Sequence, residues 1–147
     1  MRFCSRDHRK DSVARTLDLV GDGWTFLVLR EAFFGVRRFD AFQNTLGIAT
    51  NILADRLRRL TRDGIFERQR DPEDGRRFEY RLTERGRDLY WVTLALMRWG
   101  DKWLADEQGP PLQLTHDRCG KDFTPQTVCS ACGEEIDPRE VSYRSRR

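Results

Sequence analysis

The stretch "ATNILADRLRRLTRDG", residues 49–64, decides how the chain is read. Leu53, Leu57 and Leu60 recur at i, i+4 and i+7, the spacing that lines one face of an α-helix. The other face holds Asn51, Asp55, Arg58, Arg59 and Arg62, and Gly64 stops the helix. Such a helix is ordinary on a solvated surface. It also suits a reading head for nucleic acid. An Asn amide can bond an adenine edge with both ends, and an Arg can do the same for guanine or clamp a phosphate. The neighbouring segments decide between the two.

Upstream, "DSVARTLDLVG" sets Val13, Leu17 and Val20 at helical spacing before Gly21 and Gly23 break the pattern. "WTFLVLREAFFG" is a second helix, apolar almost all round and so expected at the buried centre. Trp24, Phe33, Phe34 and Phe39 read most simply as core, with an effector pocket as the alternative for Trp24. "RRFDAFQNTLG" is a third helix with Phe39, Phe42 and Leu46 inward and Gly47 closing it. A turn of about three residues then enters the helix at about 50–62. Two short helices joined through a glycine-containing turn form a helix-turn-helix, the second one presented outward.

Downstream the period becomes two. "IFERQRD" alternates Ile65, Glu67, Gln69 against Phe66, Arg68, Arg70, and "RRFEYRLT" alternates Phe78, Tyr80, Leu82 against Arg77, Glu79, Arg81. "DPEDG" between them is dense in turn residues. The reading is a β-hairpin over about 65–82 with Arg70, Arg76 and Arg77 beside its tip. A helix for the major groove with a basic hairpin for the adjacent backbone or minor groove makes a winged helix. The expected fold class is therefore mainly α with a small β-hairpin wing (α+β).

Thr83 is a natural N-cap for a long helix expected from about 84 to 106. Leu89, Val92, Leu96, Trp99 and Trp103 form one stripe on it, and Leu94, Met97 and Leu104 a second. One stripe serves the helix's own core. The other suits the same helix of a partner subunit, or else a thicker core. "DEQGPP" supplies a linker, 107–111, dividing a winged-helix and dimerisation domain at 1–106 from a C-terminal extension at 112–147.

That extension is poor in apolar residues but contains "HDRCG" at 116–120 and "CSACG" at 129–133. Each half reads ligand-x-x-Cys-Gly, and nine residues separate Cys119 from Cys129. His116, Cys119, Cys129 and Cys132 form a Cys₃His set suited to one structural zinc ion (Zn2+), with no open position for catalysis. Asp117 or Asp122 could replace His116. The other readings are a Cys129–Cys132 disulfide or redox pair, and cysteines left from a site that no longer binds metal.

The 147 residues are 38% hydrophobic and 35% charged, with a net charge of only +3. Positive charge must therefore be concentrated on one face if the partner is double-stranded DNA. Lys10, Lys102 and Lys121 are the only lysines. Arginine suits bidentate contacts to phosphate and bases, though a codon bias explains the same excess. "MRFCSRDHRKDS" is too polar for a secretory signal, and no run of 18 apolar residues exists, so a cytoplasmic protein with no membrane partner is expected. His8 and His116 are the only histidines, and no nucleophile or paired-carboxylate arrangement appears, which argues against an enzyme.

With these residues in view, the chain resembles the HxlR family of bacterial winged-helix transcriptional regulators. "LDLVGDGWTFLVLREAFFGVRRF", "NILADRLRRLTRDGIFER" and "RFEYRLTERGRDL" carry the resemblance, from about residue 11 to 104. It implies a homodimeric, non-catalytic DNA-binding protein, answering to a small-molecule effector such as an electrophile, oxidant or metabolite. The tail resembles an extension found in some family members and, more generally, a zinc ribbon. Many members open the recognition helix with a serine cap and a proline, where this chain has Ala49 and Thr50; Thr50 is expected to cap instead. Oxidant-sensing members carry a cysteine at the position aligned with Asp11, whereas Cys4 lies seven residues upstream.

Thr50 and Asn51 are expected near base edges, and Arg58 and Arg59 deeper along the groove. Arg37 and Arg38 are expected on phosphates. Arg77 stands where the family places a wing arginine, with Arg76 beside it. The alternative is a winged-helix adaptor that docks on proteins and is stabilised by a zinc-binding tail. Arginines on both the helix and the wing argue against it.

Overall fold

The computed structural model describes residues 11–144. Helix α1 (Ser12–Val20) starts where the Asp11 carboxylate accepts the Val13 and Ala14 N–H groups. Helix α2 (Gly23–Phe33) is capped by Asp22, which accepts from Thr25. Helices α3 (Phe39–Leu46) and α4 (Thr50–Arg62) are joined through Gly47, giving the expected helix-turn-helix. The quoted leucines behave as their spacing implies: Leu53, Leu57 and Leu60 are buried with Val20, Val28, Leu29, Phe42, Ile48, Ile65 and Phe66. Full burial of one such side chain stabilises by about 1.5–3 kcal/mol, so this stripe fixes which face of α4 turns outward.

Gly64 takes φ 72°, a left-handed conformation costly for other residues. It lets the Gly64 and Ile65 N–H groups turn back onto the Thr61 and Leu60 carbonyls, delivering the chain directly into the hairpin. Strands β1 (Phe66–Arg70) and β2 (Phe78–Leu82) pair antiparallel with Phe66 opposite Leu82 and Arg70 opposite Phe78. The wing is tied to the helix-turn-helix by an extra connection. The Tyr80 N–H donates to the Arg37 carbonyl at 2.7 Å, and Arg38 bridges Glu79. The segment before α3 thus acts as a third, minimal strand.

The expected single helix from 84 to 106 is interrupted. Helix α5 (Glu84–Asp88) is capped by the Thr83 hydroxyl, as anticipated, and α6 (Tyr90–Trp103) follows. At Leu89 the N–H reaches back only three residues, to Gly86. Gly86 is seated against the Ile65 carbonyl, which holds α5 on the hairpin, while Leu89 packs on the core. Leu89 is therefore partly buried in the winged helix itself.

Two of the four expected core aromatics are also corrected. Phe33 and Phe39 pack against the core, but Trp24 is 37% and Phe34 53% exposed. Trp24 lies in the first turn of α2 and Phe34 at its C-cap.

Of the described residues, those up to Thr93 form one compact unit and those from Leu94 a second. In the second unit, β3 (Leu114–His116) pairs antiparallel with β4 (Lys121–Phe123), and Val128 bridges Glu135. A 3₁₀ turn at Pro138–Glu140 follows. No residue from 95 to 144 is buried. Among the described residues, no helix is long and apolar enough to cross a membrane.

Candidate nucleic-acid interface

Helix α4 presents an N-terminus without a side-chain cap. Thr50 does not cap it, contrary to expectation. It is the first helical residue, already turned into the helix, and its hydroxyl accepts the Gln43 side-chain N–H at 2.6 Å. Ala49 holds the cap position and has no polar side chain, so the first-turn amides face outward unsatisfied by it. Thr50 and Asn51 are exposed beside them, and Arg58 and Arg59 are exposed along the same helix.

The arginines of α4 are not equivalent. Arg56 is used internally: its Nε bonds the Asp22 cap of α2 at 2.9 Å and its Nη1 bonds Asp55 at 2.6 Å. Arg59 lies 3.0 Å from Asp55 but is 59% exposed. An exposed pair of this kind contributes about 0–1 kcal/mol, so a phosphate can readily replace Asp55. Arg58 makes no ion pair among the described residues.

Before α3, Arg37 and Arg38 diverge. Arg37 is exposed. Arg38 points to the wing, where its guanidinium lies 2.6 Å from the Asp71 carboxylate, whose side chain is 1% exposed. The same carboxylate accepts the Glu73 and Asp74 N–H groups and shapes the wing turn. The Glu73 N–H first, then the Asp74 N–H and the Arg38 charge, hold the Asp71 carboxyl below its ordinary value against the opposing effect of burial. Arg38 thus braces the segment before α3 against the wing, with 35% of its side chain exposed.

At the wing tip Arg76 is exposed, and Arg77, 56% exposed, lies 3.2 Å from Asp74. Arg70, expected beside the tip, shares this surface with Arg68, which the sequence reading did not single out. The Arg68 guanidinium stacks 3.7 Å from the Phe78 ring centre, and Arg70 lies 5.5 Å from it. The signal was present: alternation along β1 puts Arg68 on the same face as Arg70. Arg38, Phe39, Arg68, Arg76, Arg77 and Phe78 line a shallow groove of about 460 Å³. Basic groups therefore flank α4 on the wing side as well as at its own surface.

Of the expected dimer stripe, Val92, Leu96, Trp99 and Trp103 are exposed, at 39%, 52%, 58% and 64%. Trp91 at 72%, which periodicity did not single out, and Val13 and Leu17 of the α1 stripe add further exposed apolar surface.

The expected metal ligands stand as two pairs. His116 Nδ1 lies 3.4 Å from Cys119 Sγ. The Cys129 pKa is lowered by the Cys132 and Ala131 backbone N–H groups first and then by the Cys132 thiol, against the opposing effect of burial. Cys119, Cys129 and Cys132 are free thiols, so the alternative of a Cys129–Cys132 disulfide is not formed. Among the described residues no three His, Cys, Asp or Glu side chains are grouped around one point. Cys4 lies outside the described residues.

Residues 19–108 match a protein family described as HxlR-like helix-turn-helix. The chain is 50% identical over 132 residues to Rv3095 of Mycobacterium tuberculosis, an uncharacterized HTH-type transcriptional regulator, covering 90% of this chain and 84% of that one. It is similar to the solved structure of PA1607, described as a candidate transcription factor, with 34% identity and TM-score 0.83 over 95% of this chain and 99% of that one. The reduced form of the transcriptional regulator YodB from Bacillus subtilis aligns at 31% identity and TM-score 0.53, over 65% of this chain and 92% of that one.

Proposed function

The chain belongs to the HxlR-like helix-turn-helix family, and on that premise we propose that it is a transcriptional regulator that binds double-stranded DNA as a homodimer. The observation that carries the reading is the uncapped N-terminus of α4 with Thr50, Asn51, Arg58 and Arg59 exposed on its outer face. Open amides at a helix N-terminus favour a phosphate, which would supply the cap that Ala49 cannot. Asn51 then sits at a base edge, and Arg58 and Arg59 reach a base or phosphate farther along the groove. Arg37, Arg76 and Arg77, joined by Arg68, hold the flanking backbone. Contacts to phosphate set affinity and register, while base contacts set sequence choice.

The dimer follows from Val92, Leu96, Trp99 and Trp103. Large exposed apolar patches on soluble proteins mark interaction surfaces, and a second copy of the same helix is the simplest cover. Two recognition helices in one dimer suit an inverted repeat with half-sites about 34–36 Å apart. Nothing in the charge distribution favours an adaptor role, because a protein-docking face does not need arginines on both α4 and the wing.

The test is selection of bound duplexes from a randomised library, followed by affinity measurement over a range of salt. Recovery of an inverted repeat, with log affinity falling steeply and linearly against log salt, supports the reading. Failure to enrich any duplex at low salt, or affinity indifferent to salt, overturns it.

A further inference from the structure

We infer that the C-terminal unit binds one zinc ion through His116, Cys119, Cys129 and Cys132, the ion joining two turns that the fold has already shaped as half-sites. Each turn has the backbone of a metal knuckle. In the first, at the tip of β3 and β4, the Cys119 and Gly120 N–H groups both return to the His116 carbonyl, at 3.1 and 2.8 Å. In the second, the Gly133 N–H returns to the Cys129 carbonyl at 2.8 Å, and the Cys129 N–H pairs with the Glu134 carbonyl, also at 2.8 Å. Gly120 and Gly133 take φ 66° and 80°, the left-handed conformation that bends each chain back after its second ligand. The first turn also brings its two donors together, with His116 Nδ1 3.4 Å from Cys119 Sγ.

The register of the hairpin sets Asp122 aside as the donor beside Cys119. Thr115 faces Asp122 across it, and the Thr115 hydroxyl donates to the Asp122 carboxylate at 2.7 Å. Side chains alternate along a strand, so Asp122 lies on the face opposite His116 and is already engaged. The donor set is then three thiols and one imidazole, the composition of a closed structural zinc site.

A second observation is independent of the cysteines. From residue 95 to 144 no side chain is buried, and Leu112, Phe123, Val128 and Ile136 are each 37–49% exposed. A segment with so little apolar burial cannot offset the entropy of ordering its backbone, about 1–2 kcal/mol per residue. Disulfides are absent among the described cysteines. A metal ion is a kind of cross-link that would tie these turns, and its binding energy becomes folding energy. On binding, the three thiols ionise and release their protons to solvent while His116 coordinates as neutral imidazole. The Arg98–Glu135 ion pair, 2.5 Å long, ties the second knuckle to α6, so the ion would stiffen the end of that helix. This inference stands apart from DNA binding and does not depend on it.

The experiment uses the full chain, without a histidine tag and purified without added metal. Zinc is measured by elemental analysis in the parent, in Cys129→Ser/Cys132→Ser and in Cys119→Ser. Cobalt(II) is then used to replace the ion. The expected result is more than half an equivalent of zinc per chain, lost in both cysteine variants, with the cobalt form showing thiolate charge-transfer and the strong visible bands of a tetrahedral ion. Far-UV circular dichroism of the variants should keep the helical signal of the winged-helix unit, which separates loss of the ion from general misfolding. Half an equivalent or less, thiols that react freely before any chelator is added, thiols recovered as a disulfide, or zinc retained in the cysteine variants would each overturn the site.

Discussion

Gly86→Ala tests how α5 is held to the wing. A Cβ built at Gly86 would lie 2.3 Å from the Ile65 carbonyl oxygen, 3.2 Å from its carbon and 3.0 Å from Leu82 Cδ2. The leucine can turn away, but the carbonyl cannot. It accepts the Thr83 N–H at 3.0 Å and the Thr83 hydroxyl at 3.2 Å, and those bonds hold the start of α5 in place. Relief requires α5 to lift from the hairpin by roughly an ångström, and overpacking of this kind costs about 1–3 kcal/mol. The gain in helix propensity from glycine to alanine offsets at most about 1 kcal/mol. The net expectation is a loss of about 1–2 kcal/mol, several degrees in Tm for a unit of this size. Gly23→Ala is the matched control: Gly23 opens α2 in the same unit, and nothing lies within 4 Å of its added Cβ. That variant should be stabilised by about 0.5–1 kcal/mol. Urea unfolding followed by far-UV circular dichroism measures both. If Gly86→Ala is as stable as the parent, or the two variants shift in the same direction, the close packing of α5 on Ile65 is wrong.

Other perturbations separate the parts of the interface. Asn51→Ala should cost about 1–3 kcal/mol on a selected site and relax base choice there, read by repeating the selection with the variant. Arg77→Ala should weaken specific and random duplexes alike and make the salt slope shallower by about one unit, measured by fluorescence anisotropy. The Asp71 carboxyl is held below its ordinary value, so its contribution to stability is full above the unfolded value of about 3.9 and is lost as pH falls from there through the lower folded value. Asp71→Asn should flatten that part of the acid limb and weaken DNA binding by loosening the wing, while the helical signal at neutral pH is kept. Trp99→Glu, at a side chain 58% exposed, should shift sedimentation toward monomer without lowering the unfolding midpoint of the winged-helix unit.

Periodicity alone determined a great deal of this protein. Leu53, Leu57 and Leu60 named the buried face of α4, and so its outward face, because the helical repeat places residues on one side whatever they pack against. The switch to alternation after Gly64, with "DPEDG" between two such runs, marked out the hairpin, and both strands lie inside the alternating runs. The ligand-x-x-Cys-Gly spacing likewise marked the two turns of the tail, because a tight turn is decided by a few consecutive residues. What the sequence could not determine is which groups meet across long stretches of chain. Arg38 and Asp71 are far apart in sequence, and only the seating of the wing on the segment before α3 brings them into an ion pair. Thr50 was a plausible cap until Gln43 of the preceding helix was seen to hold its hydroxyl. Leu89 fitted the outer stripe of a continuous helix, but the approach of Gly86 to Ile65 ended that helix and turned Leu89 to the core. Trp24 and Phe34 were apolar enough for the interior, yet they stand partly exposed at the two ends of α2. Local pattern reports the hydrophobic face of an element, whereas the partner of a charge, a hydroxyl or a helix end is fixed by distances that exist only once the elements have packed.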